Sequence, residues 1–115
     1  MPNKLTDNHI DELEERGYVI VHDFLDEGQR QEIAAAVRTI LKPWNEIEHA
    51  PPEGRWGSSL FPFPAPILND AAVNRDAIQF AQKWFRTDHI HFRPRSCLAR
   101  YPGFKSGANN AHLDS

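Results

Sequence analysis

Helical stripes alternating with short β-branched and aromatic runs predict an α+β domain. Apolar residues recur at three- and four-residue steps in Ile33, Ala36, Val37, Ile40 and Leu41, and again between Ala77 and Phe85, the pattern of a helix that buries one stripe. Runs such as Tyr18-Val19-Ile20-Val21 have strand composition and are too short for a helix. A length of 115 residues suits a single domain over 1–115 with one modest core.

Taken in order, Thr6 and Asp7 offer capping oxygens, Leu5, Ile10 and Leu13 give a stripe, and Gly17 falls where a left-handed C-terminal cap belongs. A first helix is predicted over 7–16 and a strand over 18–21. Asp26 stands three residues before Gln29, an arrangement like a capping box, and opens a second helix running to about residue 41. Pro43 stops it.

Residues 42–66 carry Pro43, Pro51, Pro52, Gly54, Gly57, Pro62, Pro64 and Pro66, so little regular structure is expected there. Yet Trp44, Trp56, Leu60, Phe61 and Phe63 lie in the same stretch. Aromatic content of that kind argues for a loop that packs over something rather than for disorder. A helical turn follows over 69–74 and a third helix over 75–86. Partial alternation then predicts strands over 89–92 and 95–101, or one strand broken by Pro94.

The formal charge of −3 is too small to argue for nucleic acid, but it is unevenly spread. Residues 1–53 hold 5 basic and 12 acidic side chains, whereas residues 54–115 hold 8 basic and 4 acidic ones. An anionic ligand would therefore be met by the second part; the plainer reading of the first is a solvated acidic face. Cys97 is the single cysteine, which excludes an intrachain disulfide, fits a reducing compartment and suggests a small buried apolar residue. No signal-like segment is visible and no apolar run approaches the roughly 20 residues that cross a bilayer, so a cytoplasmic protein without membrane partner is expected.

The chemistry gathers at the end of the sequence. His112 and Asp114 are separated by one residue, and in extended backbone that spacing projects both side chains to one side. An imidazole and a carboxylate are two members of the 2-His-1-carboxylate face that holds Fe(II) with open positions. Taken alone, so short a pattern also arises by chance. His89 and His91 form a second same-face pair, for which solvent-facing or hydrogen-bonded strand positions are the simpler reading. His9, His22 and His49 suit ordinary helix, surface or loop positions. Arg93, Arg95, Arg100 and Lys105 cluster before the His-x-Asp pair. They would bind a carboxylate or phosphate, or pair with the acidic N-terminal part.

Three stretches together resemble the phytanoyl-CoA dioxygenase family of Fe(II)- and 2-oxoglutarate-dependent oxygenases. They are Glu15-Arg16-Gly17-Tyr18-Val19-Ile20-Val21-His22-Asp23-Phe24-Leu25 followed by a helix, the later helix with Trp84-Phe85 and the strand after it, and Cys97-Leu98-Ala99-Arg100-Tyr101-Pro102-Gly103 leading to His112-Leu113-Asp114. The resemblance covers nearly all of the chain. It implies a helical part over about 1–88 and, over 89–115, the first strands of a double-stranded β-helix (a cupin-like jelly-roll), incomplete at the C-terminus. By the same resemblance His112 and Asp114 supply the first two iron ligands and Arg100 contacts the co-substrate 2-oxoglutarate. No further catalytic residue is assigned.

The implied reaction uses dioxygen to hydroxylate a small organic substrate while 2-oxoglutarate is decarboxylated to succinate. In the family the distal iron-binding His and the Arg that grips the far carboxylate of 2-oxoglutarate lie well downstream of His-x-Asp. The 115-residue chain is accordingly expected to be inactive alone and to need a longer or complementing chain, or to work as a homo-oligomer. The alternative is a non-catalytic binding or oligomerising module derived from the same family. The aromatic loop suggests only that the organic substrate is partly apolar.

Overall fold

The structure, a computed structural model, describes residues 4–93 and 96–105. It is a mixed arrangement of helices and one antiparallel sheet. The first helix, α1, spans Asp7–Arg16 and ends at Gly17, whose φ of 81° is the left-handed geometry that glycine adopts without Cβ strain. His9, expected to be unremarkable, has a structural task at the other end. Its Nδ1 accepts the backbone N–H of Thr6 at 2.9 Å, so the imidazole stands where a capping box has Glu or Gln.

Residues 18–21 form no strand, contrary to the expectation from their composition. Tyr18 and Ile20 are 57% and 66% exposed, while Val19 and Val21 are half-buried. The two-residue alternation is there, but a strand exists only through hydrogen bonds to a neighbour, and no described strand lies alongside.

The second helix, α2, spans Glu27–Ile40 and begins on a full capping box. Asp26 Oδ1 accepts from Gln29 N at 2.8 Å, and Asp26 N donates to Gln29 Oε1 at 3.0 Å. Ile33, Ala36, Val37 and Ile40 are half-buried along one face, as their spacing predicts. On the solvent side Arg30 forks onto Glu27, with Nε donating to Oε2 at 2.8 Å. The Arg30 contact, and then a hydrogen bond from Gln31, holds the Glu27 carboxyl below its ordinary value, and the Glu27 carboxylate in turn holds the Arg30 guanidinium above its own.

The Pro-rich stretch has more regular structure than its composition suggests. A short helix, α3, covers Trp44–Ile47 with Pro43 as its N-cap, and a 3₁₀ turn covers Glu53–Arg55. Strand β1 then occupies Trp56–Leu60. Helix α4 spans Pro66–Ala72, starting earlier than the turn expected over 69–74 because Pro66 is suited to the first helical position. Helix α5 spans Arg75–Phe85, capped by the Asn74 side chain on Ala77 N at 2.9 Å. Residues 89–92 form no strand, and the second strand, β2, is Ser96–Arg100.

The two strands pair antiparallel with Trp56 opposite Arg100, Ser58 opposite Leu98 and Leu60 opposite Ser96. Helix α2 packs against α4. Leu68 on α4 is the one buried hydrophobic side chain among the described residues, at 7% exposure. Beside it Asn69 clamps the aromatic stretch: Phe63 N donates to its Oδ1 at 2.6 Å, and its Nδ2 donates to Phe63 O at 2.9 Å. The aromatic loop does pack, with Phe61 edge-on to Phe63 and to Phe92 at 5.9 and 5.1 Å between ring centroids. Cys97, expected to be buried, is half-buried.

Two outcomes follow from the α2 start. Asp26→Ala removes the acceptor for Gln29 N and should lower stability by about 0.5–2 kcal/mol in urea denaturation. Because the folded-state carboxyl of Glu27 lies below the ordinary 4.5, its contribution is complete above that pH and is lost as pH falls through the lowered value. The difference in urea midpoint between the native protein and Glu27→Gln should therefore shrink as the pH drops below 4.5.

Candidate functional site

The β1–β2 pair has two unlike faces. Gly57, Ser59, Cys97 and Ala99 are half-buried on one side, while Trp56, Ser58, Leu60, Leu98 and Arg100 are exposed on the other. The half-buried face sits on the end of α2, so closely that a Cβ on Gly57 would lie 3.4 Å from Leu41 Cδ2. Tyr101, the residue after β2, fastens the arrangement. Its backbone N–H donates to Arg55 O at 2.9 Å, its hydroxyl donates to Lys42 O at 2.7 Å, and its ring lies 5.8 Å from that of Trp44.

Beside the exposed face, residues of the turn after β2 join both strands in lining a cavity of about 420 Å³. Gly54, Trp56, Leu98, Ala99, Arg100, Phe104 and Lys105 line it. Trp56, Leu98 and Phe104 give an apolar wall. The Arg100 guanidinium carbon lies 5.1 Å from the centroid of the Phe104 ring, a cation–π distance. Among the described lining residues the two charged side chains, Arg100 and Lys105, are cationic, and Glu53 lines the adjoining groove with Gly54, Trp56, Gly57 and Ser58.

Backbone geometry places Trp56. Gly54 and Arg55 have consecutive positive φ values of 72° and 58°, which turn the chain sharply into β1. A Cβ on Gly54 would stand 2.8 Å from Trp56 Cδ1. Only glycine permits both the turn and the indole beside it. Arg55 in turn extends over Trp44 at 5.7 Å, leaving cations and aromatic rings interleaved along this edge.

The residues singled out from sequence are distributed unevenly. Arg100 lies on β2 and Lys105 beyond it, and the cavity brings the two together. Arg93 is exposed in the segment before β2, outside the cavity lining. Arg95, His112 and Asp114 lie outside the described residues. His89 and His91 are exposed but not on a strand, and His22 and His49 are exposed as expected. Among the described residues no three His, Cys, Asp or Glu side chains gather in a way that would hold a metal ion, and no helix is long and apolar enough to cross a membrane.

Trp56, Leu98 and Phe104 were not singled out as cavity residues. A signal for the first was present in the alternation Trp56, Ser58, Leu60, which Gly57 and two serines make weak as a strand indicator. No protein-family model, no curated protein and no solved structure matches this chain.

Gly54→Ala should lower stability by about 1 kcal/mol or more, since it imposes a side chain at positive φ and drives it into Trp56. Urea denaturation followed by tryptophan fluorescence checks this. A silent substitution would contradict the close approach.

Proposed function

We propose that this chain is the N-terminal part of an Fe(II)- and 2-oxoglutarate-dependent dioxygenase of the phytanoyl-CoA dioxygenase type. The observation that carries the reading is the meeting of Arg100 with Lys105 at an apolar cavity directly before the segment that leads to His112 and Asp114. In this reading β1 and β2 are early strands of a jelly-roll, and the helices pack around them. His112 and Asp114 would supply one neutral imidazole and one carboxylate to the metal. The iron, when bound, would supply the redox chemistry that couples dioxygen to decarboxylation of 2-oxoglutarate and hydroxylation of an organic substrate.

The described residues would contribute binding and orientation. The guanidinium of Arg100 presents a planar donor array suited to a carboxylate of 2-oxoglutarate. Its packing over Phe104 restricts where that array can point. Trp56 and Leu98 supply apolar surface that would exclude water from part of the site. A second reading, a binding module without catalysis, is favoured by one particular: among the described residues alone, β1, β2 and the turn after it already bring Trp56, Leu98, Arg100, Phe104 and Lys105 together around one cavity.

Titration calorimetry with Fe(II) under anaerobic conditions separates the two. The dioxygenase reading expects binding that His112→Ala and Asp114→Ala each abolish, with no succinate formed from 2-oxoglutarate by the chain alone. Absence of Fe(II) binding that depends on these two residues would leave the binding-module reading.

A further inference from the structure

We infer that the groove between α2 and α4 is a binding site for a small organic ammonium ion with a compact apolar body. The two helices build the groove by their own periodicity. On α2, Gln29, Glu32 and Ile33 share a face at three- and four-residue steps. On α4, Ile67, Asp70 and Ala71 do the same, and Asn74, the N-cap of α5, continues the row. With Leu25 these residues line a cavity of about 300 Å³ at the place where the two helices pack. That volume is at the lower end of the range of small-molecule sites.

The lining divides by chemistry. Leu25, Ile33, Ile67 and Ala71 give apolar surface, with Ile33 and Ile67 half-buried and Leu25 38% exposed. Covering it removes apolar area from water, which is favourable at about 25 cal/mol per Å². Each wall also carries a carboxylate directly beside an apolar residue, Glu32 before Ile33 and Asp70 before Ala71. The two acids come from different helices, so it is the packing of α2 on α4 that gathers them at one groove.

Both carboxylates are open to a ligand. Among the described residues neither Glu32 nor Asp70 takes part in a hydrogen bond or ion pair. Arg30, the nearest cation along α2, is held by Glu27 through Nε at 2.8 Å. The amides of the lining are committed to helix ends: Gln29 Oε1 accepts from Asp26 N at 3.0 Å, and Asn74 Oδ1 accepts from Ala77 N at 2.9 Å. Charge over a longer range adds to the two acids. Residues 1–53, which include α2, hold 12 acidic side chains against 5 basic ones, an excess that draws cations toward this part of the chain.

A bare ammonium ion would leave Ile33, Ile67 and Leu25 wet, and a neutral apolar body would gain nothing from the carboxylates. An ammonium group on a compact apolar body uses both. The inference stands apart from the dioxygenase reading, since the groove shares no described lining residue with the cavity beside β1–β2 and its ligand needs no metal.

The test is titration of the metal-free, ¹⁵N-labelled 115-residue chain with 2-phenylethylammonium, followed by backbone amide shifts in NMR spectra. Parallel titrations use 2-phenylethanol, which has the body without the charge, and ethylammonium, which has the charge without the body. The expected result is that the shifts centre on the facing stretches of α2 and α4, with 2-phenylethylammonium bound at least roughly fivefold more tightly than either control. Glu32→Gln combined with Asp70→Asn, two near-isosteric changes at exposed positions, should lower its affinity to that of the alcohol and leave the alcohol unchanged. Glu32→Gln alone should weaken it less. Leu25→Ser should weaken amine and alcohol alike, and added salt should weaken only the amine.

Far-UV circular dichroism confirms that each variant is folded. Equal affinity for the alcohol would overturn the assigned role of Glu32 and Asp70, and equal affinity for ethylammonium would overturn that of the apolar surface. Shifts centred elsewhere, binding unchanged in the folded double variant, or no binding at millimolar ligand would overturn the site. Since every titration is free of metal and reads α2 and α4, these failures are distinct from failure of the Fe(II) measurement.

Discussion

The antiparallel pairing of Trp56–Leu60 with Ser96–Arg100 is the contact on which the functional half of this structure depends. It joins stretches separated by α4, α5 and the segment that follows them. Closing so long a loop costs chain entropy that local hydrogen bonds do not recover. Tyr101 helps to hold the closure by bonding both to Arg55 at the start of β1 and to Lys42 at the end of α2. The cavity is a consequence of this closure. Trp56 comes from one strand, Leu98 and Arg100 from the other, and Phe104 and Lys105 from the turn that Tyr101 begins.

The rest of the molecule is held mostly by local devices. Asp26, Asn74, Gly17 and His9 satisfy helix ends within a few residues in sequence, and the exposed ion pairs Arg16–Glu12 and Lys83–Asp7 add little in water. Long-range apolar burial is sparse. Leu68 is the one buried hydrophobe among the described residues, while Leu60, Ile20 and Phe85 stand 72%, 66% and 65% exposed. Both strands also keep an outer edge without a described neighbour. Edges and apolar faces of this kind are where additional strands, a partner or a ligand find energy to gain.

The cavity links this architecture to chemistry. The uneven charge visible along the chain reappears in space as Arg100 and Lys105 at one opening, with the strongly acidic α1 and the start of α2 elsewhere in the sequence order. Trp56 gives that opening a flat apolar floor because Gly54 lets the chain turn beneath it. The pairing of a cation with an aromatic ring occurs three times in the described structure, at Arg16 and Tyr18, Arg55 and Trp44, and Arg100 and Phe104. Only the last faces the cavity, and there the ring orients the guanidinium that both functional readings use.

The sequence by itself determined α1, α2 and α5, because their starts and stops are local chemistry. Asp26 and Gln29 meet within one turn, Gly17 alone supplies the left-handed stop of α1, and the apolar steps from Ile33 to Ile40 are readable without any partner. Strands were different. Residues 18–21 have the better strand composition yet stay unpaired, whereas Trp56-Gly-Ser-Ser-Leu60 has the poorer one and pairs over its whole length. A helix satisfies its hydrogen bonds from its own residues, but a strand must find them on a distant segment. Composition could therefore propose Arg100 as an anion-binding residue, and tertiary structure alone could set it opposite Trp56 and beside Lys105.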